Sequence, residues 1–264
     1  MALDINALKS KLNGFKRTGG TDRDTALWKP KEGKAVIRIV PWVGNTSNPF
    51  IELYFHYLGN KTHLSPLTYG NRDPIAEFAD AIRSDATRDP KERYAEARPF
   101  MPKLRTYVPI IVRGEEDKGV RFYSFGKTVY TDLLSYISDP DYGDITDAMT
   151  GRDITVEYIP KEKSDTSFAK TSVKIKPNQT PLSTDPAQSK RWLAEQPDLK
   201  ELYTEPTFNE LKVTLEKYLD PENTVIAPGR VESGQVPASQ TASAAAPKDN
   251  VKNAVDAFDD LFND

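Results

Sequence analysis

The chain has 264 residues, with 36 basic and 39 acidic side chains, a formal net charge of −3 and no cysteine. The lack of cysteine excludes disulfides, thiolate-bound zinc, iron–sulfur clusters and a cysteine nucleophile. His56 and His63 are the only histidines, and no apolar run reaches the length of a membrane span. A soluble, intracellular protein without a multi-histidine metal site is expected.

The charge is distributed unevenly along the chain. Residues 1–20 have a net charge of +3, and residues 253–264 have a net charge of −4. The basic residues near the N-terminus are Lys9, Lys11, Lys16 and Arg17. A basic end and an acidic end indicate a segment that binds a polyanion and a tail that competes with it. Ordinary solvation of two flexible ends explains the same charges.

Residue patterns predict a mostly-β fold with added helices. Asp73 followed by Pro74 is typical of a helix start. Five or six short strands with an inserted helix favour a small Greek-key barrel with elaborations. In chain order, the predicted elements are a helix at 3–14, strands at 35–40 and 50–58, a helix at 73–86, a loop or short helix within 87–103, strands at 104–112 and 120–126, a helix at 127–137 and a hairpin of strands at 152–159 and 172–176.

The C-terminal third has a different composition. Short helical pieces are predicted at 189–196 and 205–219. Residues 227–250 are rich in Ala, Ser, Pro and Gln and cannot bury enough apolar surface to fold, so they are predicted to be a linker. The last residues alternate aspartates with Phe258, Leu261 and Phe262. This pattern is typical of a peptide that docks in a basic groove.

No enzyme motif occurs in the chain. Phosphate loops, dinucleotide-binding glycine motifs, nucleophile elbows and zinc-protease helices are all missing. The acidic stretch 139–147 lacks the central glycine and the closing glutamate of a calcium loop. His56 lies among aromatic residues, which favours a packed histidine over a ligand or a base. The chain is therefore predicted to have no catalytic activity, no metal and no cofactor.

Two predicted strands alternate cations with rings. Arg105 and Tyr107 share one strand face, as do Arg121, Tyr123 and Phe125, because side chains two apart point the same way. Cations that neutralise phosphates beside rings that stack bases are what an unpaired nucleic acid needs. Further phosphate contacts are predicted from Arg38, Lys103 and Lys127. The alternative places Tyr123 and Phe125 in the core and the arginines on a solvated edge.

Several segments resemble, in order, the single-stranded DNA-binding (helix-destabilising) protein of T-even-type phages. The matching segments are SKLNG (10–14), LWKPKEGKAVIRIVP (27–41), NPFIELYFH (48–56), VRFYSFGKTVY (120–130) and DDLFND (259–264). The resemblance implies an OB-fold core with a basic, aromatic DNA-binding cleft. It places Arg38, Tyr107, Tyr123 and Lys127 on cleft positions, with Tyr94 and Phe168 as looser matches.

The resemblance also implies roles for the two ends of the chain. The basic arm would support cooperative self-association along DNA. The acidic tail would bind replication and recombination proteins, through Phe258, Asp259, Asp260, Leu261 and Phe262. The expected organisation is an arm at 1–20, a core at 21–226, a linker at 227–250 and an acidic peptide at 251–264, in the cytoplasm of an infected host cell.

One departure from the family concerns zinc. Members typically hold zinc with one histidine and three cysteines, and His56 falls on the histidine position. The later cysteine pair falls on residues 73–76, and this chain has no cysteine. The metal site is therefore predicted to be lost, with residues 60–86 held instead by apolar packing of Ile75, Phe78, Ala79 and Ile82.

Three functions fit these patterns. The leading one is a protein that coats single-stranded DNA without sequence preference during phage replication, recombination and repair. The first alternative is a structural or scaffolding protein whose barrel binds protein and whose tail docks a partner. The second is an RNA-binding regulator, because base stacking does not exclude RNA.

Deleting residues 1–17 should separate cooperativity from simple affinity. A helix of about 12 residues is marginal alone, so the arm should order only against a neighbouring protomer. We expect weaker clustering on long single strands and little change on an oligomer that fits one protomer, measured by titrating both. An equal loss on both lengths would make the arm a plain phosphate contact.

Overall fold

The computed structural model describes residues 25–219 and Phe262, without the side chains of residues 200 and 201. The basic arm, the linker and the acidic peptide lie outside the described residues, apart from Phe262. What the sequence predicts for those segments, including the helix at 3–14, stays a prediction.

Eight strands and six α-helices are assigned within the described part of the chain. The strands are β1 (Leu27–Trp28), β2 (Gly33–Ile39), β3 (Ile51–Leu58), β4 (Lys61–Leu64), β5 (Lys103–Val112), β6 (Arg121–Phe125), β7 (Arg152–Ile159) and β8 (Lys170–Gln179). The helices are α1 (Pro74–Ser84), α2 (Pro90–Ala97), α3 (Lys127–Ser138), α4 (Pro186–Ala194), α5 (Leu199–Leu202) and α6 (Phe208–Leu219). The short strands β1 and β4 are not predicted from the sequence.

The described residues divide into two compact units. Unit 1 contains the chain up to Ile51 and residues Thr106–Leu202, and unit 2 contains Glu52–Arg105 and the chain from Tyr203. The strand order in unit 1 is β1-β6-β5-β2-β7-β8, with β1 parallel to β6 and the other neighbours antiparallel. This open, mixed sheet confirms the predicted mostly-β fold with added helices.

The central strands of unit 1 are buried on both faces. β5 is buried continuously from Thr106 to Val112, so alternation along it does not separate core from solvent. Val108, Ile110 and Val112 pack in the larger apolar cluster, to which α3 contributes. Ile111 packs in a second cluster with Leu182 and Trp192. The segment after β8 therefore covers the second face of the sheet through Trp192 of α4.

Helix α3 begins and ends almost as predicted, but one of its predicted core residues is wrong. Val129 and Leu133 are buried in the larger cluster, and Ile137 is partly buried against it. The apolar spacing in the sequence predicts Leu134 on the same face as Val129, Leu133 and Ile137, but Leu134 is 40% exposed. A helix turns about 100° per residue, so Leu134 lies beyond the narrow stripe that faces the sheet.

The buried guanidinium of Arg38 joins β2 to the segments around β7. Arg38 is fully buried and donates hydrogen bonds to four backbone carbonyl oxygens, those of Ile145, Asp147, Arg152 and Thr180. Burial lowers the pKa of Arg38 to about 10, so the side chain stays charged at neutral pH. A planar fork of donors suits several carbonyls at once.

Gly151 leaves the space that this guanidinium occupies. A Cβ atom at position 151 would lie 2.3 Å from both Nη1 and Nη2 of Arg38, closer than non-bonded atoms can approach. The close approach therefore requires glycine at this position, independently of its backbone angles.

Arg38→Met should lower the free energy of unfolding by roughly 3–5 kcal/mol, because it removes the charge and its hydrogen bonds from a buried network. Arg38→Lys should also destabilise, since an ammonium cannot reproduce the planar fork. Gly151→Ala should destabilise by displacing the same guanidinium. Urea unfolding measures all three. A lysine variant of unchanged stability and reduced DNA affinity would instead make Arg38 a phosphate contact.

Unit 2 packs the β3–β4 hairpin with α1, α2 and α6. Asp73 caps α1 and Pro74 is its first residue, as predicted. The predicted apolar packing of this segment is confirmed, and α6 contributes to the same cluster. The residues of this cluster are Leu58, Ile75, Phe78, Ala79, Ile82, Ala97, Phe100, Leu211, Leu215 and Leu219.

Candidate nucleic-acid interface

The nucleic-acid contacts predicted from the sequence separate into an interior group and an exposed group. The interior group, in which no residue is more than 8% exposed, consists of Arg38, Tyr107, Arg121, Tyr123 and Phe125. The group that reaches solvent consists of Tyr94, Lys103, Arg105, Lys127 and Phe168. Each group contains both cations and aromatic rings, so residue type alone does not tell which of the predicted contacts reach solvent.

The rings of Tyr123 and Phe125 belong to the core of unit 1, which corrects the stacking role predicted for them. Strand β1 pairs with β6 and places Trp28 opposite Tyr123. The rings of Trp28 and Tyr123 meet edge to face with centroids 5.0 Å apart, and those of Tyr123 and Phe125 are 5.1 Å apart. Tyr107 is 4% exposed on the neighbouring strand, so its ring also lies in the interior.

The two interior arginines already have partners within unit 1. Arg38 binds carbonyl oxygens, as described above. Arg121 donates to Glu115, with 2.7 Å between Nη2 and Oε2, and Lys118 pairs with the same carboxylate. Hydrogen bonds from Arg121 and Lys118 hold the pKa of Glu115 below its ordinary value. The outward-facing phosphate contacts predicted for Arg38 and Arg121 are therefore corrected to internal contacts.

An exposed ring with cations beside it occurs in unit 2. The Nζ atom of Lys103 lies 5.4 Å from the centre of the Tyr57 ring, and Tyr57 is 36% exposed. Burial raises the pKa of Tyr57, while the nearby charge of Arg105 acts to lower it and Tyr203 acts to raise it. Tyr57, Lys103 and Arg105 are here called the Tyr57 platform.

Sequence reasoning found the two cations of this platform but not its ring. Tyr57 lies in a run of aromatic residues along β3, where alternation puts Phe55 and Tyr57 on one face and His56 and Leu58 on the other. The sequence offers one indication that Tyr57 is exposed, because it is the tyrosine of β3 closest to the turn at 59–60. Nothing in the sequence pairs it with Lys103, which enters from β5.

Two further exposed rings lie elsewhere. Tyr94 is 53% exposed on α2 of unit 2, and Phe168 is 64% exposed in the loop before β8 of unit 1. Lys127 is the exposed first residue of α3, where no side chain caps the helix and no acidic residue occurs in the first turn. The partial positive charge at such a helix start attracts an anion. The contacts predicted for these residues stay predictions.

The exposed lysines of β8 have a simpler explanation than nucleic acid. Lys170, Lys174 and Lys176 point to solvent, while Val173 and Ile175 between them point into the core. Strand β8 ends the strand order of unit 1. Lysines on an edge strand prevent pairing with the edges of other chains, so these cations do not by themselves indicate DNA.

Comparison with known families identifies the class of protein. The family model described as "gp32 DNA binding protein like" matches residues 31–220. The chain belongs to this family. The match runs from just before β2 to the residue after α6, so it includes most described elements of both units. DNA binding is therefore the general function of this gp32-like chain.

Two further findings concern this gp32-like chain. A search among curated proteins gives no match for this gp32-like chain. Within residues 25–219, none of the helices has the length and apolar character needed to cross a bilayer.

The position of the family's zinc histidine is occupied here by a hydrogen-bonded network. His56 Nε2 donates to Asp73 Oδ2 over 2.8 Å, and the Ser65 hydroxyl donates to the same oxygen. The other oxygen of Asp73 accepts from the N–H groups of Ile75 and Ala76 at the start of α1. The network thus connects β3, the segment after β4 and α1, which are the parts that a metal would join.

The donor set of this network does not fit zinc. All three side chains are buried and bonded to one another, and Asp73 already accepts four hydrogen bonds. Burial acts to raise the pKa of Asp73, but the bonds from His56, Ser65 and Ala76 hold it below its ordinary value. No group of three or more candidate metal ligands occurs in the described part of this gp32-like chain.

His63 should make the protein less stable as the pH falls. It pairs with His56 across the hairpin, and burial, His56 and Lys61 lower its pKa below the ordinary 6.5. Just below pH 6.5 the unfolded chain therefore binds more protons than the folded chain, and the stability present above that pH is lost.

Urea midpoints at about pH 7.5 and about pH 5, the range in which histidine changes charge, test this expectation. His63→Gln cannot titrate and should lose less stability between the two conditions than the wild-type chain. Equal losses in both proteins would assign the pH dependence to other groups.

Proposed function

We propose that this DNA-binding protein binds single-stranded DNA without sequence preference and coats the strands exposed during phage replication, recombination and repair. It acts in the cytoplasm of the infected cell, through binding alone and without catalysis. Protomers associate along the strand through the basic arm, and the acidic tail binds replication and recombination proteins.

The Tyr57 platform is the observation that supports single strands over duplex. A ring that is open to solvent and has two cations beside it offers one unpaired base a stacking surface and its phosphates a positive field. The bases of a duplex are stacked on each other, so their faces are not open to such a ring. Stacking does not depend on base identity, which supports binding without sequence preference.

Exposed rings in both units support the same proposal. Tyr94 in unit 2 and Phe168 in unit 1 each present a ring to solvent, and Lys127 presents a cation at a helix start. Binding sites for extended strands use several separate rings along one charged path. The family match supplies DNA as the ligand, and these side chains supply the means of holding an unpaired strand.

Replacing Tyr57 tests the platform directly. Tyr57→Ala should weaken binding to a thymidine oligomer by roughly 1–3 kcal/mol, the usual loss for one stacked base. Tyr69→Ala is the matched control, because Tyr69 is a tyrosine of unit 2 that is 40% exposed in the turn Pro66–Tyr69. Fluorescence titration measures both, with unfolding curves to verify the fold. Equal affinities for the two variants would remove Tyr57 from the site.

Lys103 should contribute through phosphate neutralisation. Each phosphate contact on a single strand adds about 0.7 to the slope of log affinity against log salt, so Lys103→Gln should reduce that slope by about this amount. Lys174→Gln on the edge strand is the control, and its slope should equal that of the wild-type chain. The reverse result would move the DNA path from the platform to β8.

Titration with poly(dT), poly(U) and a DNA duplex separates the proposal from its alternatives. The 12 tyrosines and 3 tryptophans provide the fluorescence signal. Tighter binding to poly(dT) than to the duplex or poly(U) is expected. A preference for poly(U) would indicate an RNA-binding regulator, and binding to none of the three would indicate a scaffolding protein.

A further inference from the structure

Phe262, the residue of the acidic peptide that the structure describes, contacts helix α6 of unit 2. Its backbone carbonyl accepts a hydrogen bond from Lys212 Nζ over 3.0 Å, and the same Nζ lies 5.4 Å from the centre of its ring. Its ring meets that of Phe208 with centroids 6.1 Å apart and planes at 68°. Phe262 also packs against the apolar cluster of this unit.

The contact surface continues beyond Phe262 into a hollow. Phe208 borders a hollow of about 390 Å³, whose other lining residues are Pro66, Asn71, Arg72, Glu205, Pro206 and Thr207. The guanidinium carbon of Arg72 lies 5.0 Å from the centre of the Phe208 ring. Phe208, Lys212 and this hollow are here called the α6 receptor.

The acidic peptide has a second ring that matches this arrangement. Phe258 precedes Phe262 by four residues, and the backbone of Phe262 is helical. Residues four apart lie on one face of a helix, so a helical peptide would present both rings to the same surface. A helical peptide anchored by Phe262 on Phe208 and Lys212 would thus turn Phe258 toward the same surface, where the hollow beside Phe208 offers space for a second ring.

We infer that the acidic C-terminal peptide docks on its own chain at the α6 receptor, with Phe262 as its anchor, and that docking withholds the peptide from other proteins. The tether begins at the end of α6, the helix that forms the receptor. The linker predicted from composition at 227–250 would hold the peptide near α6 at an effective concentration on the order of millimolar. Weak contacts are sufficient for docking at that concentration.

Docking would give the tail two states, one docked on α6 and one free to bind a partner. This step rests on the proposed function, in which Phe262 is one of the apolar side chains that the peptide offers to a partner, so the two contacts exclude each other. A partner must therefore compete with the receptor, and its apparent affinity falls by the fraction of undocked tails. This inference concerns the tail alone and holds whichever nucleic acid the chain binds.

The natural lack of cysteine makes the docked state directly measurable. A nitroxide on Asp264→Cys is the only thiol label in the full-length chain. We expect it to broaden the amide signals of α6 near Phe208 and Lys212, relative to the reduced label. Phe262→Ala in the same chain should restore those signals, whereas Val213→Ala, an exposed position on the same helix, should leave the broadening unchanged.

Two outcomes of this measurement would overturn the inference. Broadening that is the same in the Phe262→Ala chain would show that Phe262 is not the anchor. A mixture of nitroxide-labelled protomers without ¹⁵N and ¹⁵N-labelled protomers without nitroxide tests docking between copies. Broadening of α6 in that mixture, equal to that in the singly labelled chain, would assign the peptide to another protomer.

A free peptide of residues 253–264 tests occupancy of the receptor. For an effective concentration of about 1 mM and a peptide Kd of about 0.1 mM, docking should weaken apparent binding about tenfold. A fluorescent peptide should therefore bind the full-length Phe262→Ala chain about tenfold more tightly than the wild-type chain, and adding Phe208→Ala should abolish this binding. Equal affinity for the wild-type and Phe262→Ala chains, or binding to neither, would overturn the inference.

Discussion

The sheet of unit 1 depends on one buried cation. Arg38 projects from the central strand β2 and donates to carbonyl oxygens of four residues that are far apart in the chain. A buried charge is costly unless its donors are bonded, and here backbone oxygens accept from both Nη atoms, while the buried Nε has no hydrogen-bond partner. The segments that supply those oxygens are thereby fixed around β2, including the chain after β8. Gly151 leaves the necessary space.

Burial within unit 1 restricts which of its side chains can reach DNA. The covering of both sheet faces and the pairing of β1 with β6 place the cations and rings of β5 and β6 largely inside unit 1. In unit 1 the predicted contacts that reach solvent are Lys127, at the start of a helix, and Phe168, in a loop. Binding residues on such positions are held by the rigid sheet without contributing to its core.

In unit 2 a hydrogen-bonded network and apolar packing support the short β3–β4 hairpin. His56 and Ser65 both donate to buried Asp73, which also caps α1. The apolar faces of α1 and α6 close around the hairpin. The directional hydrogen bonds of such a network fix geometry in a way that apolar packing alone does not. The Tyr57 platform and the α6 receptor are both presented by this unit.

Local features of this protein are determined by the sequence itself. Asp73-Pro74 determines the start of α1, β-branched runs determine β2 and β7, and the apolar period of α6 determines its buried face, because each depends on nearest neighbours along the chain. The family and the absence of cysteine ligands also follow from the sequence itself. Which face of a strand is core depends instead on what packs over it. Tyr123 and Phe125 are interior because β1 pairs with their strand. Arg38 is interior because carbonyl oxygens from distant segments surround its guanidinium. Tyr57 lies beside Lys103, which comes from another strand. Such contacts join residues far apart in the chain, so only the tertiary structure decides them.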